Sequence, residues 1–222
     1  MPRWYNLRVT DGFKLDRDRV HIERLAQAFR VGLLPAATDT LGRYVELVAT
    51  WNRKLDLTAA KQTTALVEVL LADAFILAAE DLVPARSRCV DVGSGAGSPA
   101  IPLALLRGDL QVTLVEPLRK RVAFLRTVLG TLQLVSRVKV FEQKLDPEAP
   151  AVPDAPFDVA MSRATFPPEQ WLPAGAKLAD RTLVLLAAQT PPAAAGTVLD
   201  RLVSYTLPSN NAERKVGIYR RE

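Results

Sequence analysis

The run Val90-Asp91-Val92-Gly93-Ser94-Gly95-Ala96-Gly97-Ser98-Pro99 constrains this chain more than any other stretch. A short β-branched segment passes into a loop with glycine at every second position. An apolar segment from Ala100 to Leu106 follows and reads as a helix. Strand, glycine turn and helix start form the opening unit of an α/β domain on a parallel sheet. Glycine supplies φ > 0 and lets the main chain approach another group closely. The helix start adds free N–H groups and a partial positive charge.

The spacing narrows the ligand. A dinucleotide fingerprint would place its third glycine three positions past the second, whereas Gly93, Gly95 and Gly97 alternate. No Lys-Ser/Thr pair follows, which excludes a P-loop. Asp91 precedes the glycines. Nineteen residues past Gly97, Glu116 ends the apolar run Val112-Thr113-Leu114-Val115. An acid at the end of the second strand is placed to accept from both ribose hydroxyls of a nucleoside. This combination resembles motif I and its acidic partner in class I S-adenosylmethionine-dependent methyltransferases. The competing reading is a tight turn without a ligand and a solvated glutamate, which leaves the agreement of two features to coincidence.

Bulk properties exclude other classes. At 222 residues the chain suits one sizeable domain with a small appendage. No apolar run is long enough to span a membrane, and the start lacks a signal-peptide pattern. One cysteine, Cys89, cannot form an internal disulfide, in keeping with a reducing cytoplasm; it reads as a packing residue rather than a nucleophile. With one histidine, His21, and one cysteine a metal cluster is not expected. A net charge of +5 leans toward a polyanionic partner.

Taken in order, residues 1–18 read as a flexible arm. Apolar positions from Val20 to Leu34 recur at helical spacing, and Pro35 is expected to end that helix. Thr38 or Asp39 is expected to cap the next, and a third apolar helix covers about Thr64 to Leu82. The helical N-terminal region therefore spans 1–85, and an α/β domain spans 86–222. In the latter, strands are expected at 110–116, 137–141, 157–161 and 181–187. A helix runs from Arg119 to Leu132, and its cations Arg119, Lys120, Arg121 and Arg126 read as a solvated face. Pro167, Pro168 and Pro173 predict a short helix before the fifth strand. Ser204 to Leu207 and Lys215 to Arg220 suggest an antiparallel edge. The result is a Rossmann-like sheet with helices on both faces.

At this point the chain resembles the RsmG (GidB) family of bacterial 16S rRNA guanine-N7 methyltransferases, from about Leu41 to the C-terminus. The likeness rests on Trp51-Asn52-Arg53-Lys54-Leu55-Asp56-Leu57-Thr58, on Val90 through Leu103, and on Lys120-Arg121-Val122-Ala123-Phe124-Leu125. Ser162-Arg163-Ala164 and Glu213-Arg214-Lys215-Val216 complete it. The resemblance implies methylation of guanine N7 in the small ribosomal subunit, with S-adenosylmethionine held by Asp91, Gly93, Gly95, Gly97, Ser98 and Glu116. It also implies that Leu145 and Asp146 hold the adenine side. Arg163 lies near the methionine end, where it is the catalytic candidate. A monomer without metal or membrane partner is expected.

The chain departs from the family pattern at several points. Where the family usually has Arg-His-x-x-Asp-Ser, this sequence has Val69-Leu70-Leu71-Ala72-Asp73-Ala74. Asp56 stands for an asparagine, Lys144 for an arginine, and Ala187-Ala188 for Lys-Gly. The lost side chains are polar or cationic, while the cofactor loop is kept. Two further readings follow: a diverged methyltransferase acting on another RNA, a protein or a small molecule, and a non-catalytic cofactor-binding protein of the same fold.

Overall fold

The computed structural model describes residues 12–60, 62–187 and 189–222. Three helices come first: α1 (Gly12–Ala28), α2 (Pro35–Leu55) and α3 (Thr63–Ala79). In α2 the buried Leu41, Tyr44, Val45 and Val48 form one stripe, as a helix with one face on a core requires. In α3 every residue from Leu66 to Leu77 except Val69 is buried. It is apolar almost all round because α1, α2 and α4 (Ala100–Leu106) pack on it from different sides.

The sheet has seven strands: β1 (Arg88–Val92), β2 (Gln111–Glu116), β3 (Val138–Glu142), β4 (Phe157–Ser162), β5 (Ala179–Leu186), β6 (Thr197–Thr206) and β7 (Glu213–Arg221). Two more helices, α5 (Arg119–Thr131) and α6 (Pro168–Leu178), complete the chain. Strand order is β3-β2-β1-β4-β5-β7-β6. The first five strands are parallel, while β7 runs antiparallel to both β5 and β6. Period-two alternation divides the core. Cys89, Val112, Leu114, Val159, Met161 and Leu183 share one cluster with residues of α1 to α5. Val90, Val92, Val115, Ala160 and Val184 face Trp171 and Leu172 of α6 on the other side.

The structure corrects several local expectations. Pro35 does not end the first helix but opens α2, where its missing N–H is harmless. The first helix stops at Ala28, and Arg30 follows with φ +57°. Leu34, not Thr38 or Asp39, is the N-cap of α2. The arm expected over 1–18 is already helical from Gly12; residues 1–11 lie outside the described residues. The α6 helix is a full 11 residues despite its prolines. Pro167 and Pro168 sit at its cap and first position, and its Trp171 Nε1 donates to Leu183 O at 2.9 Å. β6 is longer than expected, starting at Thr197.

Candidate active site

In this strand order β1 lies between β2 and β4, so the chain reverses its winding beside β1. The crevice outside the C-terminal ends of those strands is where open α/β sheets bind ligands. The glycine loop emerges there. Gly93 N and Ser94 N donate to Val115 O at 2.8 and 3.2 Å, so the loop starts by leaning on β2. All three glycines have positive φ: +75° at Gly93, +54° at Gly95 and +90° at Gly97. Their surroundings differ. A Cβ on Gly93 would sit 2.0 Å from Thr165 Oγ1, and one on Gly97 2.4 Å from Ile101 Cδ1. A Cβ on Gly95 would meet nothing closer than Gly93 O at 3.8 Å. Gly93 and Gly97 are thus demanded by the protein's own packing, whereas Gly95 borders open space.

Four side chains fix the loop. Tyr44 of α2 donates its hydroxyl to Ala96 O at 3.0 Å. Ser98 Oγ donates to Leu70 O of α3 at 2.7 Å. Thr165 Oγ1 donates to Gly93 O at 3.3 Å. Glu116 accepts from Gly95 N at 2.8 Å through Oε2 and from Leu118 N at 3.0 Å through Oε1. Each oxygen retains a lone pair for a further donor. Ser98 is buried and committed to α3, so its side chain is a fastener of the loop in this structure.

Asp91 is the electrostatic anomaly. It is 1% exposed, and its Oδ2 has no hydrogen-bond partner. Burial pushes its carboxyl up to about 7, against the smaller opposing pull of Ser94 and the Arg163 guanidinium. A buried, unpartnered carboxylate oxygen is costly, and it marks a place where a cationic partner would be welcome.

Arg163 directly follows β4. Its Nη1 donates to Val69 O at 2.6 Å and to Asp73 Oδ2 at 2.9 Å, both on α3. Asp73 thus keeps the arginine despite the apolar residues at 69 and 70, and Leu70 is fully buried in the core. After β3, Leu145 is buried and Asp146 is exposed, its Oδ1 accepting from Glu148 N at 3.0 Å. The structure therefore brings Asp91, Gly93, Gly95, Gly97, Glu116 and Arg163 to one crevice, with Leu145 and Asp146 on the strand-end segment beside it. Ala187 is exposed past β5, and Ala188 lies outside the described residues.

Tyr44, Thr165 and Leu118 were missed by sequence reasoning. Tyr44 falls on the apolar stripe of α2, but a buried tyrosine hydroxyl needs a partner, which was the available signal. Leu118 is 52% exposed two residues past Glu116, an apolar surface at the rim. Asn52 shapes another part of the rim: its side chain donates to Thr58 O and accepts from Thr58 N, both at 2.9 Å. Asp56 between them adopts φ +45°, and Arg121 Nη2 donates to its carbonyl at 3.2 Å. His21 stands apart on α1, near Thr64. Cys89 is buried, which raises its thiol to about 12 and makes it inert at neutral pH. Among the described residues no group of acids, histidines or cysteines could hold a metal ion, and no helix is long and apolar enough to cross a membrane.

Comparison with known proteins agrees with this fold. Among solved structures, an S-adenosylmethionine-dependent methyltransferase from Thiobacillus denitrificans, in complex with S-adenosyl-L-homocysteine, superposes with a TM-score of 0.52 at 12% identity. It covers 81% of this chain and 98% of that one. The mitomycin 7-O-methyltransferase MmcR superposes with a TM-score of 0.50 at 15% identity, covering 94% of this chain and 68% of its own. At these identities the likeness is one of fold. In sequence, ribosomal RNA small subunit methyltransferase G of Anaeromyxobacter dehalogenans strain 2CP-C is 36% identical over 218 residues, 92% of this chain and 100% of the relative. Its counterpart in strain 2CP-1 is 34% identical over 213 residues, 90% of this chain and 97% of its own. Residues 37–189 match the family described as GidB, rRNA small subunit methyltransferase G. This chain belongs to the GidB family of rRNA small subunit methyltransferases.

Proposed function

We propose that this chain transfers a methyl group from S-adenosylmethionine to N7 of a guanosine in the 16S RNA of the small ribosomal subunit, at the crevice holding the glycine loop. The observation that carries the reading is the unpartnered, buried Oδ2 of Asp91 at the foot of the glycine loop, near Ser94 and Arg163, in a chain of this family. Bound S-adenosylmethionine supplies an electrophilic methyl carbon on its sulfonium. The residues present fit it. Asp91 offers a negative charge for the methionine ammonium. The spare lone pairs of Glu116 suit ribose hydroxyls. The exposed Leu118, with Leu145 and Asp146, offers a mixed apolar and polar edge for the adenine. Gly95 leaves room for backbone approach.

Guanine N7 carries a free lone pair, so the new C–N bond forms as the C–S bond breaks and no proton leaves. The chain therefore needs to align the nucleophile and exclude water rather than supply a general base. That matches a crevice whose described residues include neither a histidine nor a reactive thiol. Arg163, fixed by Asp73 and the Val69 carbonyl, is the cation assigned to the methionine end.

Charge distribution favours an RNA partner at the same end of the sheet. At the far end several cations are paired: Arg107 with Asp109, Lys139 with Asp154, Arg221 with Asp180. Near the crevice, Arg53, Arg119, Lys120 and Lys144 are exposed and enter no ion pair with a carboxylate among the described residues. Free cations at the rim are what phosphate contacts need.

The test is methyl transfer from labelled S-adenosylmethionine to small subunits lacking the modification, with mass-spectrometric location of the product. N7-methylguanosine at one 16S position is the expected result. Cofactor binding without transfer to the subunit would move the assignment to another substrate.

A further inference from the structure

The buried helix α3 carries two acids in its apolar body, Glu68 and Asp73, and both are buried. An acid inside an apolar helix has to find donors elsewhere in the fold. Both find them on the C-terminal β6–β7 hairpin. Ser209, in its turn, donates to Glu68 from its backbone N–H at 2.8 Å and from its hydroxyl. Tyr205, near the end of β6, donates its hydroxyl to Asp73 Oδ1. The other oxygen, Asp73 Oδ2, accepts from Arg163 at 2.9 Å. One carboxylate thus bridges the hairpin and the arginine of the crevice.

The bridge has a defined direction. Burial, and then the charge of Asp73, holds the Tyr205 phenol well above its ordinary value, so it remains a donor at any working pH. Its ring is fixed independently, edge-on to Phe29 in the turn just past α1, with centroids 5.7 Å apart and planes at 81°. A carboxylate pinned at one oxygen cannot rotate freely about its Cβ–Cγ bond, which fixes where the other oxygen points. The guanidinium then has a single seat between Asp73 Oδ2 and Val69 O. Tyr205 lies beyond residues 37–189, the part of the chain that matches the family.

We propose that Tyr205 is a positioning residue for methyl transfer: acting through Asp73, it holds the Arg163 guanidinium in place, so that the C-terminal hairpin belongs to the working parts of the site. This rests on the reading of Arg163 as a residue at the reacting end.

Tyr205→Phe keeps the ring against Phe29 and removes only the hydroxyl. In the full chain, kcat for methyl transfer to small subunits is expected to fall about tenfold, with KM for S-adenosylmethionine within about twofold and the thermal midpoint within a few degrees. In an Asp73→Asn background the same change is expected to add almost nothing, because the relay is already cut. A purely structural tyrosine would give equal losses in both backgrounds, and that outcome overturns the proposal. So does an unchanged kcat in the single variant. A second readout does not depend on activity. The guanidinium nitrogen and proton signals of Arg163, assigned by their loss in Arg163→Ala, should be resolved and slowly exchanging in the parent chain and averaged in Tyr205→Phe. Signals that stay resolved in Tyr205→Phe refute the positioning role whatever the substrate is. A parent chain that shows the signals but methylates no ribosomal RNA refutes the functional reading instead.

Discussion

The backbone N–H of Gly95 donates to Glu116 Oε2 at 2.8 Å, tying the centre of the glycine loop to the end of β2. The same carboxylate accepts from Leu118 N through its other oxygen, so one side chain closes two loops at the crevice. Glu116 thus shapes the loop before any ligand arrives, and in the function proposed above it also faces the ribose.

Those duties separate in two variants. Glu116→Ala leaves two backbone donors without their acceptor and is expected to cost about 1–3 kcal/mol of stability. Glu116→Gln retains one acceptor oxygen and should cost less. Both should weaken S-adenosylmethionine binding by at least about tenfold, because an amide replaces one of the two acceptor oxygens by an NH2 donor that cannot accept from the loop or the ribose. Chemical denaturation and calorimetric titration read the two effects separately. Full cofactor affinity in Glu116→Gln would remove the ribose role.

Asp91 gives a pH signature. Its carboxyl ordinarily titrates at 3.8 and in the folded, cofactor-free chain at about 7, chiefly through burial. A cationic partner favours the ionised form and lowers that value, so binding expels a proton below pH 7. S-adenosylmethionine affinity should therefore rise with pH up to about 7 and level off above it. Calorimetry across pH 5.5–8.5 checks the shape. A flat profile would show that Asp91 does not meet the ammonium.

The stability consequence of Asp91 has the opposite sign. Below the ordinary carboxyl value both folded and unfolded chains carry the proton, and the residue costs nothing. As pH rises toward 7 the unfolded chain ionises first, so the folded state loses stability, and above 7 the cost is constant. Asp91→Asn removes that cost. At pH 8 its cofactor-free thermal midpoint should equal or exceed the parent's, by about 2–4 °C for each kcal/mol gained, while cofactor binding falls by tenfold or more. Site residues that are bad for stability and good for binding are an expected compromise.

The glycines should not behave alike. Gly93→Ala places a methyl group 2.0 Å from the Thr165 hydroxyl at φ +75°, so the Ser162–Thr165 turn has to move. A loss of more than about 2 kcal/mol is expected. Gly95→Val meets open space in the free chain, so its cost is limited to backbone strain at φ +54°, about 1–2 kcal/mol. Yet cofactor binding should vanish, because the side chain fills the approach. Comparable stability losses in the two variants would contradict this division.

The rim cations predict a salt dependence. Replacing Lys120 and Lys144 together by alanine should weaken binding to small-subunit RNA and reduce the slope of log affinity against log salt by about 1–2. S-adenosylmethionine affinity should not change. An unaltered slope would place the RNA elsewhere on the surface.

Much of this site was legible in the sequence because its main-chain parts are local. Gly93 to Gly97 must turn a strand into a helix within a few residues, and α4 begins at Ala100 as the pattern requires. Glu116 was readable because an acid ends an apolar strand at the right separation. What could not be read is the set of contacts made across the fold. Nothing near Tyr44 announces Ala96 O, and nothing near Asp73 announces Tyr205, 132 positions away. Ser98 shows the same limit: the motif names it, but whether its hydroxyl serves a ligand or α3 depends on how α3 docks. Prolines misled at Pro35 and in α6 because a residue that breaks helix interiors is also a good helix starter.

The fastening of the glycine loop by Tyr44 and Ser98 makes its shape a property of the N-terminal helices. A loop already held in place does not need to be ordered by its ligand, so association should resemble docking onto a rigid surface. The dependence also runs the other way. If gentle heating or mild denaturant loosens α2 or α3 while the parallel strands stay paired, the loop loses two of its fasteners at once. Cofactor capture would then fail ahead of global melting, making the helices a built-in fuse for the enzyme.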